Sequence, residues 1–149
     1  MGMFDAATGD LVTYLKTQSG VTALVGAGTS ARIYPDVAKQ GVALPHLVFA
    51  ISGSESFRHL GGDSGMRRSV VQFFAFAATR AGSNALAEQV RLALANFRGA
   101  MGDSYVADCS TSVPMLSGYD EARDASDQAK YWAMTVFDMF YHETVVSNQ

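Results

Sequence analysis

The spacing of apolar residues divides the chain into helical and extended segments, beginning with a helix. Leu11 and Leu15 lie four residues apart on one apolar stripe, which predicts a helix over residues 4–19. Gly20 is a typical helix end, so we expect the helix to stop there. Residues 21–25 then add one further helical turn.

Two extended segments follow this helical region. Ile33 lies in a short strand that ends at Pro35, because proline has no N–H to give to a ladder. Pro45 precedes a second strand, residues 46–51, which is apolar without strict alternation. A strand of this kind is typically covered on both faces.

A glycine-rich polar stretch, residues 52–66, predicts a long flexible turn. It leads to a partner strand over residues 67–78, in which both faces are apolar. The two sets are Val70, Gln72, Phe74 and Phe76 on one face, and Val71, Phe73 and Ala75 on the other. We therefore expect a helix on one side of this strand and a neighbouring subunit on the other.

The clearest helix is predicted over residues 84–97, with Ser83 as its N-cap and Gly99 just beyond its end. Its apolar residues recur at helical spacing: Leu86, Val90, Leu94 and Phe97.

Three more strands are predicted after this helix, over residues 105–109, 113–119 and 130–142, with a polar acidic loop over 120–129. The order of elements predicts an α+β fold, with helices packed on a mostly antiparallel sheet. We expect a single domain over residues 1–149, with flexible ends at 1–5 and 143–149.

Composition limits the classes of function. The chain is 48% hydrophobic and only 17% charged, so we expect a folded domain that covers part of its surface against copies of itself or a partner. The net charge of −3 and the absence of a basic cluster argue against tight binding to nucleic acid. No apolar run is long enough to cross a bilayer, and no signal peptide is evident, which predicts a soluble protein.

Few residues suggest chemistry. Cys109 is the only cysteine, so it cannot form an internal disulfide, and we interpret it as a small buried residue in a strand. His59 lies near Asp63, as a base lies near its orienting acid, but no nucleophile elbow accompanies them. A solvated or interface histidine is the better interpretation.

The glycines and acidic residues are also better explained without a ligand. No phosphate-binding glycine motif is present. The acidic residues of the 120–129 loop lack the frame of a calcium site and are interrupted by Arg123. Arg67 and Arg68 point to opposite faces of their strand, where they either pair with acids of a neighbouring subunit or keep the strand edge soluble.

The order of several short segments resembles one protein family over residues 11–141. The segments are Leu24-Val25-Gly26, Arg32-Ile33-Tyr34-Pro35, Pro45-His46-Leu47-Val48-Phe49, His59-Leu60-Gly61-Gly62 before the strand at 68–77, the helix at 85–94, and the aromatic strand at 131–140. In this order they resemble the tail-completion, or tail-terminator, proteins of long-tailed phages, prophages and gene transfer agents.

The resemblance implies a structural role in the virion. Members of this family have an α+β fold and form a hexameric ring at the head-proximal end of the tail tube, where they stop tube polymerisation. The implied partners are other copies of the chain, the tail tube protein and the head–tail connector, a stopper or neck protein. DNA passes through the channel without sequence-specific binding. The resemblance implies no catalytic residue, no cofactor, no metal and no contact with a membrane. It also implies that the protein is made in the host cytoplasm.

Two long loops supply the candidate interface residues, because loops become ordered when they meet a partner. The first set is His59, Leu60, Gly61, Gly62, Asp63, Arg67 and Arg68, and the second is Asp120, Glu121, Arg123 and Asp124. We expect one loop to reach the tube and the other to reach a neighbouring subunit or the neck.

Three alternatives remain at this point. The chain is also compatible with a neck or head-completion adaptor on the portal side. A second alternative is a dimer that binds a small ligand under Phe73, Phe76 and Trp132. An enzyme that uses His59 ranks last.

Overall fold

In the computed structural model, the described residues are 3–4, 9–38, 42–59, 62–111, 115–122 and 129–142, with the backbone alone described over 52–59 and 62–65. The elements follow in this order: α1 (Asp10–Leu15), α2 (Ser19–Val25), a 3-10 turn (Gly28–Ser30), β1 (Ile33–Pro35), β2 (His46–His59), β3 (Gly62–Ala77), α3 (Arg80–Leu94), β4 (Gly99–Met101), β5 (Ser104–Ser110), β6 (Leu116–Asp120) and β7 (Lys130–His142).

The strands form one sheet in the order β1-β2-β3-β7-β5-β4. β6 also pairs with β7, along residues 130–134, on the edge that β5 occupies along residues 138–142. Only the β1–β2 pair is parallel among these pairs. The predicted α+β class with a mostly antiparallel sheet is therefore confirmed.

The core lies between the helices and one face of the sheet, which we call the inner face. α3 lies against β3 and β7, and α2 lies against β2 and α3. On the inner face, Phe73 and Phe137 are buried with their rings edge-to-face at 5.8 Å, and Phe49 lies 6.3 Å from Phe73. The strand register alternates these buried side chains with half-buried ones on the other face.

The first helical region is divided differently from its prediction. α1 begins at Asp10, and the chain leaves helical geometry after Leu15 and resumes it at Ser19. Gly20 continues α2, so the predicted end at Gly20 is wrong. A Cβ there would meet the amide end of the Gln89 side chain from α3, which would have to turn away.

The second predicted helix starts and ends earlier in the chain than its apolar repeat indicates. Thr79 is the N-cap, and its hydroxyl accepts a hydrogen bond from the N–H of Gly82 at 3.0 Å. Ser83 lies inside the helix and donates to the carbonyl of Arg80. The helix ends at Leu94, and Leu86, Val90 and Leu94 of the predicted stripe are buried. Phe97, the fourth residue of the stripe, lies beyond the end of the helix and is half-buried.

The predicted flexible turn over 52–66 is wrong for most of its length. β2 continues to His59 and β3 begins at Gly62, and the two strands pair across this region with register shifts at 51/53 and 56/58. Ladder hydrogen bonds to a partner strand hold this polar segment extended, and bulges absorb its irregularity. The result is a hairpin that extends past the end of β7, since β7 pairs with β3 only from Met66.

The remaining strand predictions are mostly confirmed. The bounds of β7 match, β5 is one residue longer at each end, and β6 starts at Leu116. The sequence interpretation missed β4, a three-residue strand that pairs with β5. Residues 123–128 and both chain ends with their predicted flexibility (1–2 and 143–149) lie outside the described part, as do residues 5–8.

Arg32 connects the helical region to the sheet. Its Nε donates to the carbonyl oxygen of Pro45 at 2.8 Å, and its Nη2 donates to that of Leu24 at 3.0 Å. Charged hydrogen bonds to carbonyls are stronger than neutral ones. This side chain therefore holds the end of α2 beside the start of β2.

Candidate functional site

The face of the sheet opposite the helices, which we call the outer face, is apolar. Its half-buried side chains on β3 and β7 are Val70, Gln72, Phe74, Phe76, Trp132, Met134, Val136 and Phe140. No helix among the described residues packs on this face. Apolar surface of this extent typically marks a site of contact with another protein.

Strand register arranges the outer face into two rows that cross the sheet, which we call the apolar belt. One row is His46, Phe76, Trp132 and Gly118, and the other is Tyr34, Val48, Phe74, Met134 and Leu116. Four strand spacings separate the ends of the second row, so the belt is about 19 Å wide. It runs from β1 at one side of the sheet to β6 at the other.

Trp132 lies across β6 at the far end of the belt. A Cβ on Gly118 would be 2.4 Å from Cζ2 of Trp132, so the indole occupies the space that any other residue would need. The ring also contacts Phe74 edge-to-face at 6.3 Å. Gly118 is therefore required for the flat packing of the indole on an edge strand.

A groove of about 270 Å³ lies at the opposite end of the belt, between the outer face and the chain after β1. Its lining residues are Asp36, Val37, Ala38, His46, Val48, Phe74, Phe76 and Lys130. The ammonium of Lys130 lies 5.5 Å from the ring centre of Phe76. Val37 is 75% exposed, which is unusual for a valine and leaves one wall of the groove open to a partner.

His46 is the titratable group enclosed by this groove. It is 4% exposed, and its Nδ1 lies 3.3 Å from the carbonyl oxygen of Ala43. Because a carbonyl oxygen only accepts, Nδ1 carries the proton and Nε2 of the neutral ring is an acceptor. Burial lowers the pKa of His46, and the positive charges of Lys130 and Arg32 lower it further.

We expect stability to fall with acidification because of His46. A histidine with a lowered pKa in the folded state binds its proton more readily when unfolded, so its neutral form stabilises the fold above about pH 6.5. This contribution is lost as the pH falls through 6.5 towards the folded-state pKa. Urea unfolding between pH 8 and pH 5 measures it. His46→Gln should flatten the dependence of the free energy of unfolding on pH, and Lys130→Gln should reduce that dependence. An unchanged slope in His46→Gln would contradict the assignment.

The two predicted arginines point to opposite faces, as expected. Arg68 lies on the outer face, where it pairs with Asp138 of its own chain at 2.7 Å and lies 6.0 Å from the ring centre of Phe140. Arg67 is opposite Tyr141, on the other face. Arg68 therefore has its acidic partner within the subunit and needs none from a neighbour.

The structure places the two predicted interface loops at opposite ends of the sheet. Gly62 begins β3 at the hairpin end, with His59 and Asp63 in the paired strands, while Asp120 and Glu121 are exposed at the other end. The 16 residues of β3 span on the order of 40–50 Å, so the two sets do not form one site. Leu60, Gly61, Arg123 and Asp124 lie outside the described residues, as do the side chains of His59 and Asp63.

Cys109 is buried in β5, which confirms its interpretation as a small core residue. Burial raises the pKa of its thiol to about 12, with further contributions from Asp108 and Asp138. The thiolate that would react or bind metal is therefore strongly disfavoured. Within the described residues no group of three or more acidic, histidine or cysteine side chains is placed to hold a metal ion.

The aromatic residues suggested for a ligand site do not share one face. Phe73 lies in the core on the inner face, whereas Phe76 and Trp132 lie on the outer face. The predicted ligand cluster is therefore wrong as a single pocket. Among the described helices, none is long and apolar enough to cross a membrane.

Comparison with protein families gives a match over nearly the whole chain. The model of the family described as "Tail completion protein gp17" matches residues 9–140. This chain belongs to the tail completion gp17 family. The resemblance stated from the sequence is thereby confirmed, and the protein is a structural tail-completion component of a virion tail.

A solved structure shares the fold of this tail completion protein. A chain in the structure titled "Virion of native gene transfer agent (GTA) particle" superposes with a TM-score of 0.59 at 14% sequence identity. The match covers 87% of this chain and 90% of that chain. Comparison with curated protein sequences gave no match.

Proposed function

We propose that this tail completion protein is the tail terminator. Six copies form a ring on the head-proximal end of the tail tube, stop the addition of tube subunits, and join the tail to the connector of the head. DNA passes through the channel of the ring without sequence-specific contacts. Each copy acts as one domain, and no step of this function requires catalysis.

The part of the apolar belt on β3 and β7, which no described helix covers, is the observation that carries the proposal. A single copy leaves Phe74, Phe76 and Trp132 half exposed on a face that no described helix covers. Burial of such side chains contributes about 25 cal/mol for each Å² removed from water. A ring supplies neighbours for this surface through contacts in which one patch meets a different patch.

The separation of the two candidate interface sets also supports a joining role. The hairpin end of β3 and the exposed Asp120 and Glu121 are on the order of 40–50 Å apart along the strand direction. If the strands run parallel to the axis of the ring, each subunit presents one set to the tube and the other to the neck. One subunit then contacts both partners without a large conformational change.

Removal of the gene distinguishes a terminator from an adaptor. We expect cells that lack this protein to produce overlong or unstable tails, because nothing stops tube growth. Electron microscopy of lysates measures tail length and attachment, with the wild-type gene supplied in trans as the control. Tails of normal length that are not attached to heads would contradict termination and support a neck adaptor on the portal side.

The hairpin can be tested separately from ring formation. We expect deletion of residues 61–65 to give soluble rings that do not join tails to heads, because the hairpin reaches beyond β7. The control is Leu92→Ser, an exposed position on α3 that belongs to neither interface set and should leave joining unchanged. Infectious or transducing particles with normal tails from the deletion would contradict a joining role for this loop.

A further inference from the structure

We infer that β6 of one copy docks against the groove of the next copy, with Leu116 as the inserted side chain. This inference rests on the proposed ring and names the two surfaces that build it. It joins the two ends of the apolar belt, which lie at opposite sides of the sheet within one copy.

β6 has the features of a strand that awaits a partner. Met115, Leu116 and Tyr119 are 45%, 49% and 48% exposed, although each is a large apolar residue. Among the described strands, β6 pairs only with β7, so its other edge presents backbone donors and acceptors to solvent. Edge strands without protecting lysine or proline tend to pair or pack with another chain.

The groove suits a protein side chain better than a small molecule. Its volume of about 270 Å³ lies below the usual range of ligand pockets, roughly 300–1,000 Å³. Val48, Phe74 and Phe76 supply an apolar floor, and the exposed Val37 forms an open wall. One leucine side chain from a second copy would fit this space.

The register of the sheet favours a second copy as the occupant. Leu116 lies in the same row as Val48 and Phe74 of the groove floor. Copies joined side by side therefore bring Leu116 to the level of the groove with no shift along the strand direction. A head-to-tail contact closes into a ring when successive copies are not shifted along the ring axis, and otherwise it gives an open filament.

Cysteine cross-linking tests this contact on purified protein and on assembled particles. The double variant Val37→Cys with Leu116→Cys, treated with a short bismaleimide, should give a ladder up to the full ring on a denaturing gel. Each single variant should give no species above the monomer. The buried Cys109, with its pKa of about 12, should not contribute.

Each other result has a defined meaning. A dimer from either single variant would show that copies meet through identical patches, and it would overturn the inference. A ring visible by electron microscopy without a ladder would also overturn it, but would leave the proposed function intact. The cross-linked ladder could also form while removal of the gene leaves tail length normal. That pair of results would support the contact between copies and contradict the terminator role.

A charge substitution provides a second readout. Leu116→Asp should weaken association at least tenfold by sedimentation, because it places a carboxylate in an apolar groove. The matched control is Leu92→Asp, since Leu92 is 59% exposed but lies on α3, in the helical layer. Equal effects of the two substitutions would contradict the docking of Leu116.

Discussion

Replacing Phe73 with alanine lowers the free energy of unfolding by about 3–5 kcal/mol, because the change leaves a cavity in the core. Phe73 is 1% exposed and packs against the rings of Phe49 and Phe137. Urea unfolding of the isolated protein measures the loss. The control is the adjacent Phe74, which has the same chemistry on the opposite face of the same strand.

We expect Phe74→Ala to impair assembly more than it lowers the stability of the isolated chain. Because Phe74 is half-buried on the outer face, its loss costs the isolated chain about 1–1.5 kcal/mol. The larger effect falls on assembly, since Phe74 is part of the groove floor. Equal losses of stability in the two variants, or unchanged ring formation in Phe74→Ala, would contradict the assignment of the two faces.

Gly118→Val removes the indole of Trp132 from the surface of β6. The added side chain occupies the space of the ring, and such overpacking costs about 1–3 kcal/mol. Trp132 is the only tryptophan of the chain, so its fluorescence reports the displacement directly as a red shift. Ring formation should fail as well, because the displaced indole disrupts the end of the belt.

Ser117→Val is the matched control for this substitution. Ser117 is exposed, precedes Gly118 on the same strand and points to the other face. We expect its stability to stay within about 0.5 kcal/mol of the wild type and its fluorescence to be unchanged. An unshifted spectrum in Gly118→Val would show that the indole does not need the glycine.

The elements that sequence predicted best are those in which one face is buried. β7 alternates buried and half-buried residues along nearly its whole length, and its predicted bounds are confirmed. The apolar repeat of α3 gave the correct buried face, but the predicted start was four residues too late. Both Ser83 and Thr79 are suitable caps, and only the tertiary position of the first turn decides between them.

The hairpin escaped prediction because its sequence shows no alternation of apolar and polar residues. Residues 52–59 contain glycine, serine and charged residues in an order that does not favour a strand. They are extended because β3 offers a ladder along their whole length. Pairing between strands of this kind depends on the partner, which is not a local property of the sequence.

The apolar belt escaped prediction for a related reason. The sequence shows that both faces of β3 are apolar, and it therefore predicts that a neighbouring subunit covers one of them. The alignment of Val48, Phe74 and Leu116 in one row is set by three separate strand registers. No spacing along the chain encodes that alignment.

The outer face, which no described helix covers, links assembly of this protein to its tendency to aggregate. The same rings that drive copies together also make an isolated copy prone to aggregate when it is overproduced. Selection of variants for high yield or for a monodisperse monomer will therefore enrich polar substitutions at Phe76, Trp132 and Leu116. Such well-behaved preparations would be the ones that can no longer complete a tail.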